Sequence, residues 1–113
     1  MHEMSLMAGM MEIIQSSAAE QGFTKVTRVV LEIGKLSGVE PEAMRFAFDV
    51  GTQDSLAEGA ELAIEETPGI GQCPACGKES PLAAFYDPCP YCATVPMRIL
   101  TGKEMRIKFL DVD

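Results

Sequence analysis

The sequence predicts an α+β fold, with two helices packed on a small mixed three-stranded sheet and an inserted four-cysteine module of the zinc-ribbon type. Two segments place apolar residues at helical spacing, and three others alternate apolar and polar residues as strands do. All four cysteines fall in two Cys-x-x-Cys pairs. With 113 residues, of which 47% are hydrophobic, the chain is long enough for one compact domain with a small insert.

The first helix is predicted over residues 4–21, because apolar side chains recur there at three- and four-residue spacing. Gly22 follows, where a left-handed residue commonly ends a helix. Five of the eight methionines lie at or near this helix: Met1, Met4, Met7, Met10 and Met11. Clustered thioethers could bind Cu(I), but their helical spacing favours core packing.

The remaining elements follow in order. A strand is predicted over residues 25–34, where β-branched residues are frequent and successive side chains would point to opposite faces. Pro41 suits the first turn of a second helix, which is predicted to end near Gly51. Short alternating strands are predicted over residues 61–65, before the cysteines, and over residues 104–112, after them.

The order of elements divides the chain into two domains. Residues 1–69 and 97–113 are predicted to form the α/β domain, and residues 70–96 the cysteine module. Glycine and proline flank the module and are interpreted as hinges: Pro68, Gly69, Gly71, Pro96 and Gly102. The same glycines would permit segment exchange between two chains, which leaves a homodimer open.

The cysteine pairs carry the strongest chemical signal. Twelve residues separate Cys73-Pro74-Ala75-Cys76 from Cys89-Pro90-Tyr91-Cys92. Two such pairs can surround Zn(II) with four sulfurs, which predicts a structural zinc site at Cys73, Cys76, Cys89 and Cys92. Gly77 follows the first pair, where positive φ is favoured, whereas Ala93 takes the equivalent place in a less ideal second turn.

Three other interpretations of the cysteines compete with zinc. Disulfides would suit a secreted protein, but no signal peptide precedes them. The string from Cys89 to Cys92 occurs at glutaredoxin active sites, but that chemistry needs the first cysteine at a helix N-terminus, and Pro88 and Pro90 bracket it here. A rubredoxin-type iron site uses the same ligands and stays open.

Charge and hydropathy argue against nucleic-acid binding and against a membrane-spanning segment. The formal net charge is −8, and four thiolates with one Zn(II) would lower it to about −10. Nucleic-acid binding needs a basic surface, so it is disfavoured. No apolar run reaches the roughly 20 residues of a membrane span. The start of the chain has no signal-peptide pattern, which predicts a cytoplasmic protein.

A second candidate metal site lies at the very start. His2 is the only histidine, and a histidine beside a terminus is usually an idle surface residue. The Met1 amine, the amide nitrogen and imidazole of His2 and the Glu3 amide can nevertheless supply nitrogen donors in one plane. Such donors suit Ni(II) or Cu(II) and fit tetrahedral Zn(II) poorly. Met1 should be retained, since its enzymatic removal needs a small second residue.

Several segments together resemble the HypA/HybF family of hydrogenase nickel-incorporation proteins. They are the start from Met1 to Ser5, the segment Leu31-Glu32-Ile33-Gly34-x-Leu36-Ser37-Gly38-Val39 and the run from Pro41 to Phe48. The paired Cys-x-x-Cys insert and the closing strand resemble the family too. The resemblance covers nearly the whole chain, and Ala93 departs from the glycine common after the last cysteine.

The resemblance implies a metallochaperone that passes Ni(II) to the large subunit of [NiFe]-hydrogenase, in cooperation with a nickel-handling GTPase. It implies that His2 is the essential nickel ligand and Glu3 a neighbour that tunes the site. The four cysteines would bind structural zinc, while nickel would be bound transiently.

Three classes of function compete. A nickel-delivery protein needs no catalytic residues, and the chain has neither a Ser/His/Asp set nor a phosphate-binding loop. The protein is therefore predicted not to be an enzyme. The alternatives are a zinc-ribbon interaction module with an idle N-terminus and a thiol oxidoreductase. Tight zinc retention would count against the oxidoreductase.

Overall fold

The computed structural model describes residues 2–113 and contains two helices and six strands in these residues. The elements are α1 (Glu3–Gln21), β1 (Val26–Gly34), α2 (Pro41–Gly51), β2 (Glu61–Thr67), β3 (Ile70–Gln72), β4 (Glu79–Pro81), β5 (Arg98–Thr101) and β6 (Met105–Val112). The strands form two three-stranded sheets, ordered β2-β1-β6 and β4-β3-β5. The predicted α+β fold is confirmed, and the second sheet is an addition that the sequence did not predict.

The chain forms two compact units. The first, which we call the helical unit, comprises Met1–Leu31, Val39–Glu65 and Arg106–Asp113. The second, the cysteine unit, comprises Glu32–Gly38 and Glu66–Met105. Neither helix in the described part of the chain is long and apolar enough to cross a membrane.

Helix α1 buries a stripe of methionine and isoleucine. Met7, Met10, Met11 and Ile14 are buried, at the three- and four-residue spacing that places them on one face. The helix ends at Gly22, whose φ of 79° is left-handed and whose N–H donates to the Ala18 carbonyl at 2.8 Å. The methionines of this stripe therefore pack in the core, as their spacing predicted.

Helix α2 begins and ends where the sequence predicted. Pro41 occupies its first turn, and the Glu40 side chain caps it by accepting the Glu42 N–H at 3.2 Å. At its other end Gly51 lies against α1, because a Cβ there would overlap Cγ of Met7. The two helices of the helical unit are thus held in close contact.

Strand β1 is the central strand of its sheet. Val29 and Val30 point to opposite faces, yet both are buried, so this strand departs from the polar alternation expected of a half-exposed strand. Beside it β6 runs antiparallel: the Thr27 hydroxyl donates to the Asp111 carbonyl, and the Asp113 N–H donates to the Lys25 carbonyl.

The cysteine unit has its own sheet and core. Strand β3 pairs antiparallel with both β4 and β5, so it is the central strand. Three apolar side chains and two cysteines form the buried cluster, which contains Leu36, Cys73, Leu82, Cys89 and Met97. Two of the four cysteines, Cys73 and Cys89, are therefore part of the apolar core of this unit.

Three glycines of the cysteine unit bring backbone segments into direct contact. A Cβ at Gly34 would overlap the carbonyl of Gly102, and a Cβ at Gly102 would lie 2.7 Å from Cα of Gly69. The Leu36 N–H donates to the Gly102 carbonyl at 2.7 Å, which holds the junction closed. Gly69 and Gly102, interpreted from sequence as hinges, here permit close packing.

Candidate metal centre

The four cysteine sulfurs form one cluster. All four lie within 4.8 Å of one another. The Sγ atoms of Cys73 and Cys92 are 3.4 Å apart, and those of Cys76 and Cys89 are 3.7 Å apart. A tetrahedral zinc with four sulfurs at about 2.3 Å needs sulfur separations of about 3.8 Å. The donor set and its dimensions therefore fit Zn(II).

Backbone hydrogen bonds shape the first cysteine turn. The Cys73 N–H donates to the Lys78 carbonyl at 2.9 Å, and the Gly77 N–H donates to the Cys73 carbonyl at 2.8 Å. The chain reverses at Gly77, whose φ is 75°, and the Cys76 N–H points at the Cys73 sulfur at 3.4 Å. The turn therefore places both sulfurs of the pair on one side.

The second turn repeats this pattern residue for residue. The Cys89 N–H donates to the Thr94 carbonyl at 3.0 Å, and the Ala93 N–H donates to the Cys89 carbonyl at 2.8 Å. Ala93 takes the place of Gly77 with φ of 63°, a left-handed value that disfavours any side chain. The less ideal second turn predicted from Ala93 is thus confirmed by its backbone.

Each turn contributes one buried and one exposed cysteine. Cys73 and Cys89 are buried, whereas Cys76 and Cys92 are exposed. A cation–π contact also joins the turns, because Lys78 Nζ lies 4.6 Å from the centre of the Tyr91 ring. The cluster is therefore anchored on its inner side and open to solvent on its outer side.

Ionisation of the sulfurs is unequal. The N–H of Cys76 lowers the pKa of the Cys73 thiol to about 6. The Thr94 hydroxyl, which lies 3.2 Å from the Cys92 sulfur, lowers the pKa of that thiol. Although the Lys78 N–H acts the other way, loss of water and hydrogen bonds to the other sulfurs raise the pKa of Cys76 to about 11. Four thiolates this close together would repel one another, and a bound divalent cation would offset that repulsion. Metal ligation requires the thiolate form.

The positions of the sulfurs argue against the disulfide and redox interpretations of these cysteines. All four are free, and the 3.4 Å between Cys73 and Cys92 sulfurs far exceeds a disulfide bond of about 2.05 Å. Cys89 precedes a turn rather than a helix, so it lacks the helix N-terminus that activates a redox cysteine. The arrangement favours a metal site over a dithiol.

At the other candidate site, His2 is exposed and directly precedes α1. Its carbonyl accepts the Leu6 N–H at 3.0 Å, while its side chain makes no capping hydrogen bond. The predicted donor Met1 lies outside the described residues.

Glu3, the third residue of the predicted nickel site, is buried. Its Oε2 accepts the Glu40 N–H at 3.3 Å, which connects the first turn of α1 to the start of α2. The backbone N–H groups of Glu3 itself and of Glu40 hold the pKa of this carboxyl below its usual value of 4.5, and burial opposes them. Oε1 has no hydrogen-bond partner among residues 2–113.

The sequence interpretation missed some of the residues that shape the two candidate sites. It did not predict the burial of Glu3, which depends on α2, or the place of Leu36 in the cysteine core. It also missed the Thr94 hydroxyl beside Cys92. A hydroxyl residue two positions after a cysteine ligand is a local signal that could have indicated this contact.

Comparisons with known proteins agree along the whole chain. The family model described as "Hydrogenase/urease nickel incorporation, metallochaperone, hypA" matches residues 1–112. Proteins from Geobacter metallireducens and Rhodopseudomonas palustris, each described as hydrogenase maturation factor HypA, are both 49% identical over 113 residues, covering 100% of either chain.

A solved structure agrees with these sequence matches. The solution structure of the Ni metallochaperone HypA from Helicobacter pylori superposes with a TM-score of 0.72 at 27% identity, covering 99% of this chain and 97% of that one. The resemblance inferred from the motifs is thereby confirmed: the chain belongs to the HypA family of nickel metallochaperones for hydrogenase maturation.

Proposed function

We propose that this protein binds Ni(II) at its N-terminus and delivers it to the large subunit of [NiFe]-hydrogenase. The observation that carries the proposal is the position of His2, exposed at the start of α1 with an imidazole that caps nothing. In a chain of this family, such an imidazole is available to a metal ion.

The start of α1 also favours backbone ligands. The first N–H groups of a helix have no acceptor within it, so the amide nitrogens of His2 and Glu3 can bind a metal without breaking the helix. With the Met1 amine and the His2 imidazole, they would complete four nitrogen donors, which suit planar Ni(II).

The four cysteines would bind Zn(II) as a structural metal. Four thiolates in a tetrahedron are the ligand set of closed structural zinc sites, which leave no position for exchange with a substrate. Cys73, Cys76, Cys89 and Cys92 would thus hold the resident metal, and Met1, His2 and Glu3 the transient one.

Delivery would involve two protein partners. A nickel-handling GTPase would supply nucleotide hydrolysis, since this chain has no Gly-x-x-x-x-Gly-Lys phosphate loop. The large subunit of [NiFe]-hydrogenase would receive the ion, in line with relatives described as hydrogenase maturation factors. This protein would bind and transfer nickel without catalysing a reaction.

The test is nickel titration of untagged, zinc-loaded protein by calorimetry. We expect His2→Ala to abolish specific Ni(II) binding, because it removes the imidazole. A single residue added before Met1 should also weaken binding strongly, because it converts the amine ligand into an amide. Glu3→Gln should have a smaller effect, since its side chain tunes the site and does not complete the donor set.

The controls separate ligand loss from misfolding. Zinc content and helical circular dichroism should match wild type in each variant, because His2 is exposed and caps nothing. Unchanged nickel affinity in the extended protein would eliminate the amine ligand. Unchanged affinity in His2→Ala as well would leave a zinc-ribbon interaction module as the better description.

A further inference from the structure

An apolar groove lies between the first turn of α1 and α2. Its volume is about 200 Å³, and its lining consists of Glu3, Met4, Ala43, Phe46 and Ala47. Phe46 is 69% exposed and Met4 is 51% exposed. Two large apolar side chains therefore stand open to solvent around a recess, and such surfaces are common at protein interaction sites.

Glu3, which lines this groove, has one carboxylate oxygen without a partner among residues 2–113. Glu3 is only 4% exposed, and one of its oxygens accepts the Glu40 N–H. The other, Oε1, has no hydrogen-bond partner in residues 2–113. A buried carboxylate oxygen without a donor is costly, and native structures seldom retain one without a role. The groove thus has apolar walls, and the free oxygen of Glu3 could accept a hydrogen bond from a ligand bound there.

We propose that this groove receives a lysine side chain from a partner protein. The methylene stem of a lysine would pack against Met4 and Phe46, and its ammonium would donate to Oε1 of Glu3. Lysine fits better than arginine, because a guanidinium binds a carboxylate through two oxygens and the second is already occupied.

Charge supports a basic partner. The chain has a net charge of −8, and Glu42 and Asp49 on α2 flank Phe46 in sequence. Arg45, the only basic residue of α2, donates to the Leu62 carbonyl at 3.0 Å, and its Nε lies 3.8 Å from the Glu42 carboxylate, which it partly neutralises. The net negative charge of the chain therefore favours a basic segment.

The inference rests on the proposed function and deepens it. Glu3 directly follows the proposed nickel ligand His2, so a partner seated in the groove would lie beside the nickel donors. Docking would bring the receiving protein to the ion before transfer. Glu3 would thus act as a receptor for the partner as well as a neighbour of the metal.

The test measures binding of the full, zinc-loaded and nickel-free protein to two purified proteins of the same organism, the nickel-handling GTPase and the hydrogenase large subunit. For at least one of them, Glu3→Gln and Phe46→Ala should each weaken binding about tenfold or more. Tyr86→Ala should bind like wild type, because Tyr86 is an exposed aromatic residue of the cysteine unit. Phe46→Ala should also retain wild-type nickel affinity.

The lysine itself is found by replacing each lysine of that partner with glutamine. One of these lysine replacements should weaken binding as much as Glu3→Gln does. When that replacement is combined with Glu3→Gln, binding should weaken little further. Wild-type affinity in both Glu3→Gln and Phe46→Ala would overturn the proposal, as would a loss traced to an arginine. Failure of wild-type protein to bind either partner would instead remove the delivery proposal, and this inference with it.

Discussion

The two candidate metal sites of this protein are built in opposite ways. The four sulfurs of the cysteine unit are fixed by two matching turns and by an apolar cluster that includes Cys73 and Cys89. The N-terminal site instead offers an exposed imidazole at the first described residue, with no side-chain capping bond to hold it. One candidate site is preformed by the fold, whereas the other is proposed at residues that directly precede and begin α1.

This difference suits two different tasks. A metal that stabilises a fold needs a closed shell of ligands, because its binding free energy then contributes to folding. A metal that is handed over needs exposed donors that another protein can reach. Under the proposed function, the protein would separate a resident from a transferable ion by how firmly their ligands are held.

The largest effect should come from removing one cysteine sulfur, which tests whether the two candidate sites are independent. We expect Cys73→Ser to lose the zinc and to unfold residues 70–96, because the large apolar side chains there outside the cluster around the sulfurs are exposed: Phe85, Tyr86, Tyr91 and Val95. Metal analysis would report the loss, and circular dichroism should keep most of its helical signal. Nickel binding at the N-terminus should persist.

Ala75→Ser is the matched control, since this exposed position lies between two ligands and its substitution removes no thiol. One equivalent of tightly bound zinc in Cys73→Ser would show that Cys73 is not a required ligand. Loss of all secondary structure would show that the module boundary at residues 70 and 96 is drawn wrongly.

An intermediate effect is expected at Glu104, which holds the glycine junction of the cysteine unit. Its carboxylate accepts the Gly102 N–H at 2.6 Å, and this bond is the main cause of its lowered pKa. We expect Glu104→Gln to reduce the stability of the zinc-loaded protein by about 1.5 kcal/mol at pH 7. Nickel stoichiometry should not change.

The pH dependence of the stability difference tests whether the Glu104 carboxylate is its cause. Because the folded pKa of Glu104 is depressed, its contribution is fully present above the ordinary value of 4.5 and is lost as pH falls through the lower folded value. The difference between wild type and Glu104→Gln in denaturant unfolding should therefore shrink in acid. Glu79→Gln, at an exposed acidic position on β4, is the control. A pH-independent difference would exclude the carboxylate as the cause.

The smallest effect should come from the second cysteine turn. Ala93 has φ of 63°, where glycine avoids the steric cost of a Cβ, although glycine also makes the unfolded chain more flexible. We expect Ala93→Gly to stabilise the zinc-loaded protein by less than about 1 kcal/mol, measured by thermal unfolding. Gly77→Ala should destabilise it, since Gly77 has the same left-handed backbone. A lower unfolding temperature for Ala93→Gly would contradict this account.

Local signals were enough to predict most elements and the clustering of the four cysteines. Gly22 ends α1, and Pro41 begins α2, because each imposes its own backbone conformation. The spacing of the cysteines likewise predicted one four-sulfur cluster, since each pair belongs to a single turn. These features depend on residues that are near one another in sequence.

Only the tertiary structure decided the features that join distant parts of the chain. Glu3 reaches Glu40 across 37 positions, which buries a carboxylate that the sequence placed at an exposed chain end. Gly34 and Gly102 meet with no room for a Cβ, where the sequence indicated a strand end and a hinge. Burial and close backbone contact are properties of the packed partner as much as of the residue itself. Neither residue type nor spacing within one segment could therefore have specified them.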